Sequence, residues 1–163
     1  GGLRGRIGAR GAGAAAPNRA RTQPGGRRMN ALAPFEGAWR LDRRVENALG
    51  PDARFTGEAV FAPDGGGLVL QETGEMRIEG QGAFRAERRY LWRAVGARIA
   101  VLFDDLRPFH EFDPTEPRPE ADHPCAPDHY RVAYDFTGWP RWHAVWQVTG
   151  PRKSYVMHST YSR

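Results

Sequence analysis

Leu68-Val69-Leu70-Gln71-Glu72-Thr73-Gly74-Glu75-Met76-Arg77-Ile78 and Phe84-Arg85-Ala86-Glu87-Arg88-Arg89-Tyr90-Leu91-Trp92 are two runs of period-two alternation separated by Glu79-Gly80-Gln81-Gly82. Leu68, Leu70, Glu72, Met76 and Ile78 share one face of the first, and Phe84, Ala86, Arg88, Tyr90 and Trp92 one face of the second. Side chains alternate across a strand, so this spacing predicts two half-buried strands joined by a glycine-rich turn. Each apolar face carries one charge in phase with it, Glu72 on the first strand and Arg88 on the second. A charge on a buried face must be paired or bound to something.

Outward from this hairpin the same period recurs. Trp39, Leu41 and Val45 alternate before it, then Phe55, Gly57, Ala59 and Phe61, with Pro63-Asp64-Gly65-Gly66-Gly67 as a turn. Ile99, Val101 and Phe103 follow it, then Tyr130, Val132, Tyr134 and Phe136, then Trp142, Ala144, Trp146 and Val148. Gly150-Pro151 breaks the pattern, and Tyr155, Met157, Ser159 and Tyr161 complete it. No segment has a helical period. Eight to ten evenly spaced strands suggest an up-and-down barrel or a sandwich. The expected fold is an all-β, lipocalin-like antiparallel barrel, which removes exposed sheet edges and has room for one small ligand. The Pro- and acid-rich stretch 113–128 lacks any apolar period and is expected to be a long irregular loop.

The chain has 163 residues, 40% hydrophobic, enough for one domain with a real core. Its one cysteine excludes an internal disulfide framework and fits a reducing, cytoplasmic location. No apolar run is long enough to span a bilayer, so no membrane partner is expected. The net charge of +5 is carried by the front end: residues 1–28 hold seven arginines and no acid, which leaves −2 for the rest. Nucleic-acid binding by the folded part is therefore not expected. Residues 1–34 are read as a disordered Arg/Gly/Ala-rich tail ahead of a domain over 35–163. Three readings of the tail stand: an arm for nucleic acid or an acidic surface, a transit peptide lacking the usual serines and apolar stripe, or translated sequence upstream of a true start at Met29.

Phe35-x-Gly37-x-Trp39 resembles the opening of lipocalin-like (calycin) barrels. The fuller set is Phe55-x-Gly-x-Ala-x-Phe61, Arg89-Tyr90-x-Trp92, Phe109-His110-x-Phe112, His123-x-Cys125-x-Pro-Asp128-x-Tyr130 and Gly150-Pro-Arg-Lys153-x-Tyr155. Together these are similar to an uncharacterised domain family of bacteria and fungi, the domain of unknown function six-three-one-four. The resemblance covers about residues 35–163 and implies a barrel whose Trp39 closes one end against a basic residue, Arg152 or Arg163. It supplies no activity. The family pattern has Asp-Gly-Arg before Phe-His, where this chain reads Asp105-Leu106-Arg107, and an acid after the lysine, where this chain has Ser154.

Titratable residues gather at Phe103–His110 and His123–Tyr130, on either side of the expected loop. His110, His123 and Cys125, with His129 or Asp128, offer donors that zinc accepts, but His-x-Cys is not a finger spacing and no metal is assigned. Cys125 with a histidine and an aspartate would make a nucleophile, base and orienter, though nothing local lowers the thiol pKa. Arg152 and Lys153 have the chemistry to hold a carboxylate or phosphate. The ligand-binding set expected is Glu72, Arg88, Tyr90, Arg107, His110, His123, Asp128, Tyr130, Arg152 and Lys153, with the two histidines together over the pocket that holds Glu72 and Arg88. The function expected is binding of a small molecule in an apolar pocket with a few inward polar groups. The alternatives are an enzyme using the His/Cys/Asp cluster and a haem-binding barrel. No cofactor, catalytic residue or oligomeric state is assigned.

Overall fold

The computed structural model describes residues 30–163; of the tail expected over 1–34, residues 1–29 lie outside the described residues. The chain packs from Leu32, which is buried, through a short 3-10 helix at Ala33–Phe35. Packing thus begins ahead of the expected boundary at Phe35, because Leu32 belongs to the core that Phe35 and Trp39 form.

Ten strands follow: β1 (Gly37–Asn47), β2 (Ala53–Asp64), β3 (Gly67–Ile78), β4 (Gly82–Val95), β5 (Arg98–Phe103), β6 (Pro108–Phe112), β7 (Glu120–Cys125), β8 (Asp128–Asp135), β9 (Trp142–Thr149) and β10 (Ser154–Ser162). All ladders are antiparallel, in the order β6-β5-β4-β3-β2-β1-β10-β9-β8-β7. Every strand pairs with its sequence neighbours except at β6 and β7, and β1 pairs with β10 to curl the sheet round. The two terminal strands, β6 and β7, come side by side without a hydrogen-bonded ladder. The result is a nearly closed up-and-down barrel, as the alternation predicts.

The loop expected over 113–128 is corrected by β7. Ala121 and His123 are half-buried while Asp122 and Pro124 face out, so the stretch alternates, but with small and polar residues in place of the usual apolar ones. The paired neighbour β8 supplies the ladder that its own composition does not announce.

The hairpin of β3 and β4 has the predicted phase. Glu72 is opposite Arg88 and Leu70 opposite Tyr90. Phase also holds through Gly74, which pairs with Gly57 on β2. A Cβ at Gly57 would run into the Thr73 carbonyl, and one at Gly74 into the Thr56 carbonyl and the Phe55 ring. Glycine at both positions is what allows the two backbones to approach so closely.

One barrel end is filled by aromatic rings. Phe35 lies 5.2 Å from Trp92 and 5.5 Å from Trp142, and Phe61 lies 4.8 Å from Trp92, ring centre to ring centre. Trp39 Nε1 donates to the Phe35 carbonyl at 2.8 Å. The Arg163 guanidinium stacks 3.8 Å above the Trp39 ring and donates to the Glu36 and Pro34 carbonyls. Of the two basic residues expected to close this end, Arg163 does so; Arg152 is exposed in the turn between β9 and β10.

Candidate functional site

Above the aromatic plug the barrel encloses a cavity of about 430 Å³, within the range of small-molecule sites. Its wall is built from the inward faces of the strands. Leu70, Trp92, Val101, Ala144 and Met157 make it apolar, and Tyr90, Phe103, Phe109 and Trp146 add ring surface. Phe109 lies nearly parallel between Phe103 (4.4 Å, 17°) and Trp146 (4.8 Å, 19°). This stack crosses the open seam, since Phe103 is on β5, Phe109 on β6 and Trp146 on β9.

A register shift delivers two adjacent residues to the same wall. His110 is opposite Val101, but Pro108 is opposite Leu102, so Phe109 is the extra residue of a bulge. Regular alternation would send one of Phe109 and His110 outward; the bulge aims both inward.

The turn before them is also specific. Leu106 has φ 73°, a left-handed conformation that a leucine adopts at a cost. Its N–H donates to the Phe103 carbonyl at 2.9 Å, and the Arg107 N–H donates to Asp105 Oδ1 at 3.1 Å. A glycine meets this requirement without strain.

Glu72 is buried at 2% exposure, as expected of an inward strand position, but its partner is not Arg88. Arg43 on β1 reaches it with Nη2 3.0 Å from Oε2 and Nη1 3.2 Å from Oε1. Tyr161 Oη donates to Glu72 Oε2 at 2.8 Å, and Arg43 Nε donates to Ser159 Oγ at 2.7 Å. Burial opposes the Arg43 charge, but the Glu72 carboxylate outweighs it and holds the guanidinium pKa above its ordinary value. Burial and the Glu72 charge together push the Tyr161 hydroxyl well up. The four side chains form a satisfied polar floor inside an apolar chamber. Arg43, in phase with Trp39, Leu41 and Val45, carried the same signal that marks Glu72 and is absent from the expected set.

His110 is buried, and burial, with the neighbouring His123, lowers its pKa to about 3, so it is neutral. Its Nε2 lies 2.7 Å from Tyr134 Oη. Its Nδ1 is buried without a partner, as are the indole Nε1 atoms of Trp92 and Trp142, all three on cavity-lining side chains.

Of the expected set, Glu72, Arg88, Tyr90 and Arg107 line the cavity, and so do His110, His123 and Tyr130. Asp128, Arg152 and Lys153 do not. Asp128 and Lys153 stand behind the rim: Lys153 Nζ is 3.1 Å from Asp128 Oδ2 and donates to Tyr130 Oη at 3.0 Å. The Tyr130 hydroxyl and Asp128 together raise the Lys153 pKa. Gly150 has no room for a Cβ beside Asp128 Oδ1, which ties two of the motif segments into one structural contact. Cys125 sits exposed at the cavity rim. His129 faces outward, 3.2 Å from Asp122. Asp128 is engaged by Lys153 and His110 Nε2 by Tyr134, so neither is free for the nucleophile–base–orienter role, while His123 and Cys125 both line the cavity. Among the described residues no three His, Cys, Asp or Glu side chains converge on a metal position, and no helix is long and apolar enough to cross a membrane.

A solved structure of the S-type phycobiliprotein lyase CPES from Guillardia theta has a similar fold. The match has TM-score 0.54 and 9% sequence identity, and covers 81% of this chain and 89% of that one. At that identity the likeness is one of architecture, a lipocalin-like barrel. No curated protein sequence matches the chain. A family model matches residues 35–163, the whole barrel, and the chain therefore belongs to that family, described as a family of unknown function (DUF6314).

Proposed function

We propose that this protein binds a small organic molecule inside the barrel. The observation that carries the reading is the 430 Å³ chamber itself, aromatic and aliphatic in its wall, with a fixed polar floor at Arg43, Glu72 and Tyr161. A satisfied polar cluster in an apolar chamber orients a guest without costing the protein an unpaired charge when the chamber is vacant. The barrel likeness to a lyase of phycobiliproteins supports the reading at the level of fold.

The test is a fluorescence titration with N-phenyl-1-naphthylamine, a neutral two-ring probe that brightens in apolar surroundings. Binding is expected to saturate at one probe per chain. Ala144→Phe fills the chamber from a buried wall position and should abolish the signal while leaving the far-ultraviolet circular dichroism unchanged. A signal that rises without saturating, or that survives in the filled variant, refutes an internal site. Native mass spectrometry of protein purified without added ligand supplies a second readout, a retained organic mass.

A further inference from the structure

The charges around the chamber are not balanced. Its wall carries three fixed cations, Arg43, Arg88 and Arg107, and one carboxylate, Glu72. Glu72 is committed to Arg43 on the floor. Arg107, at the rim, lies 2.6 Å from Asp105. Arg88 is left. It is exposed, on the inward phase of β4 near the open end, and it forms no ion pair among the described residues. Its cross-strand neighbour is Glu72, the carboxylate that its position would ordinarily pair with, and Arg43 has already taken it. A cation is thereby held at the mouth of an apolar chamber with its natural partner withheld.

The rim adds a neutral donor. Tyr130 Oη accepts a hydrogen bond from Lys153, which leaves its own O–H available to donate. Tyr130 lines the cavity, and so does Tyr155. Between Arg88 and Arg107 a second, shallow groove continues the rim outward, also lined by Tyr90, Phe103 and the pairs Arg89–Asp104 and Arg107–Asp105, which leaves Arg88 as its unpaired cation among the described residues. Arginine suits this position because its planar fork binds a carboxylate in two parallel hydrogen bonds.

Resting on the reading of the barrel as a small-molecule site, we propose that its ligand is an amphiphilic organic anion. An apolar, ring-bearing body occupies the chamber against Phe109 and Trp146. One carboxylate-like group remains at the mouth, bound by Arg88 and accepting from the Tyr130 hydroxyl. The inner polar cluster cannot take this role, because the Arg43 guanidinium already donates to Ser159 and to both Glu72 oxygens.

The experiment compares two probes that differ by one anionic group, N-phenyl-1-naphthylamine and 1-anilinonaphthalene-8-sulfonate, titrated into the full chain at low and high salt. The sulfonate should bind about tenfold more tightly, the scale of one charge-assisted contact, and the advantage should shrink as salt rises. Arg88→Gln should remove the advantage and leave the neutral probe within about twofold, far under the tenfold that 1.4 kcal/mol represents. Arg88→Lys, which keeps the charge and loses the fork, should retain part of it. Equal or tighter binding of the neutral probe by the unaltered protein overturns the anion preference while leaving the chamber a binding site. A preference that persists in Arg88→Gln overturns the role of Arg88. Saturable binding of neither probe defeats the small-molecule reading and this inference with it.

Discussion

At the scale of single residues, two positions have conformations or charges that their surroundings impose. Leu106 is held at φ 73° with its side chain 65% exposed, so nothing it buries offsets the strain. Leu106→Gly should stabilise the protein by about 0.5–1 kcal/mol, the relief of left-handed strain less the added freedom of the unfolded chain. A shift of the urea midpoint at constant slope would show it; a loss of stability would mean the leucine side chain makes a contact that matters. His110 presents the second case. The folded chain holds its pKa near 3, against 6.5 for the exposed imidazole. Within that window the unfolded chain binds a proton that the folded chain refuses, so stability is lost as pH falls from about 6.5 toward 3, with a slope of at most about 1.4 kcal/mol per pH unit from this residue. His110→Phe cannot titrate. Its stability should fall less steeply over the same pH range in parallel urea titrations, and identical slopes would show that His110 is protonated in the folded protein.

At the scale of strands, the polar floor joins β1, β3 and β10 across the barrel interior. Arg43→Met leaves the Glu72 carboxylate buried without its cation and should cost about 3–5 kcal/mol, whereas Arg43→Met with Glu72→Leu should recover most of that loss, since replacing both members of a buried pair by apolar groups is often neutral. Chemical denaturation of the two single variants and the double variant gives the coupling directly; additive losses would show that the pair is not a unit. By contrast the exterior pairs, Arg54 with Asp42 and Arg77 with Glu75, are about half exposed or more and contribute little each. The sheet elements were readable from alternation wherever the inward residues are large: Trp39 and Leu41, Phe55 and Phe61, Trp142 and Trp146. It failed at β6, where the bulge at Phe109 interrupts the period, and at β7, where the inward residues are Ala121 and His123. A small residue and a polar one do not announce a buried face, and the strand exists because β8 offers it a ladder.

At the scale of the whole molecule, the barrel has one sealed end and one open one. Leu32, Phe35, Trp39 and Arg163 seal the first, drawing together the chain on both sides of the ten strands. A chain beginning at Met29 should match the full-length thermal midpoint, whereas one beginning at Phe35 should lose about 2–3 kcal/mol, the burial of one leucine and its neighbours. Differential scanning calorimetry separates the two. A lower midpoint for the Met29 start would mean that the preceding residues pack on the barrel. The seam between β6 and β7 lacks ladder hydrogen bonds and is bridged instead by Phe109 against His123 and by His110 with Tyr134.

Alternation by itself determined that this chain is a run of antiparallel strands and which side chains turn inward, because the pleat sends every second residue to the same face whatever the strand pairs with. It therefore marked Glu72 and Arg88 as inward charges before any partner was known. Only the tertiary structure decided that Glu72 belongs to Arg43 while Arg88, at the mouth, has no ion pair among the described residues. Two inward side chains on β1 and β3 are separated by a whole strand in the flat sheet, and cross-strand pairing favours the adjacent Arg88. Closing the sheet into a barrel makes its inner face concave, so side chains two strands apart converge on a common interior, and the long guanidinium reaches across β2 to the carboxylate.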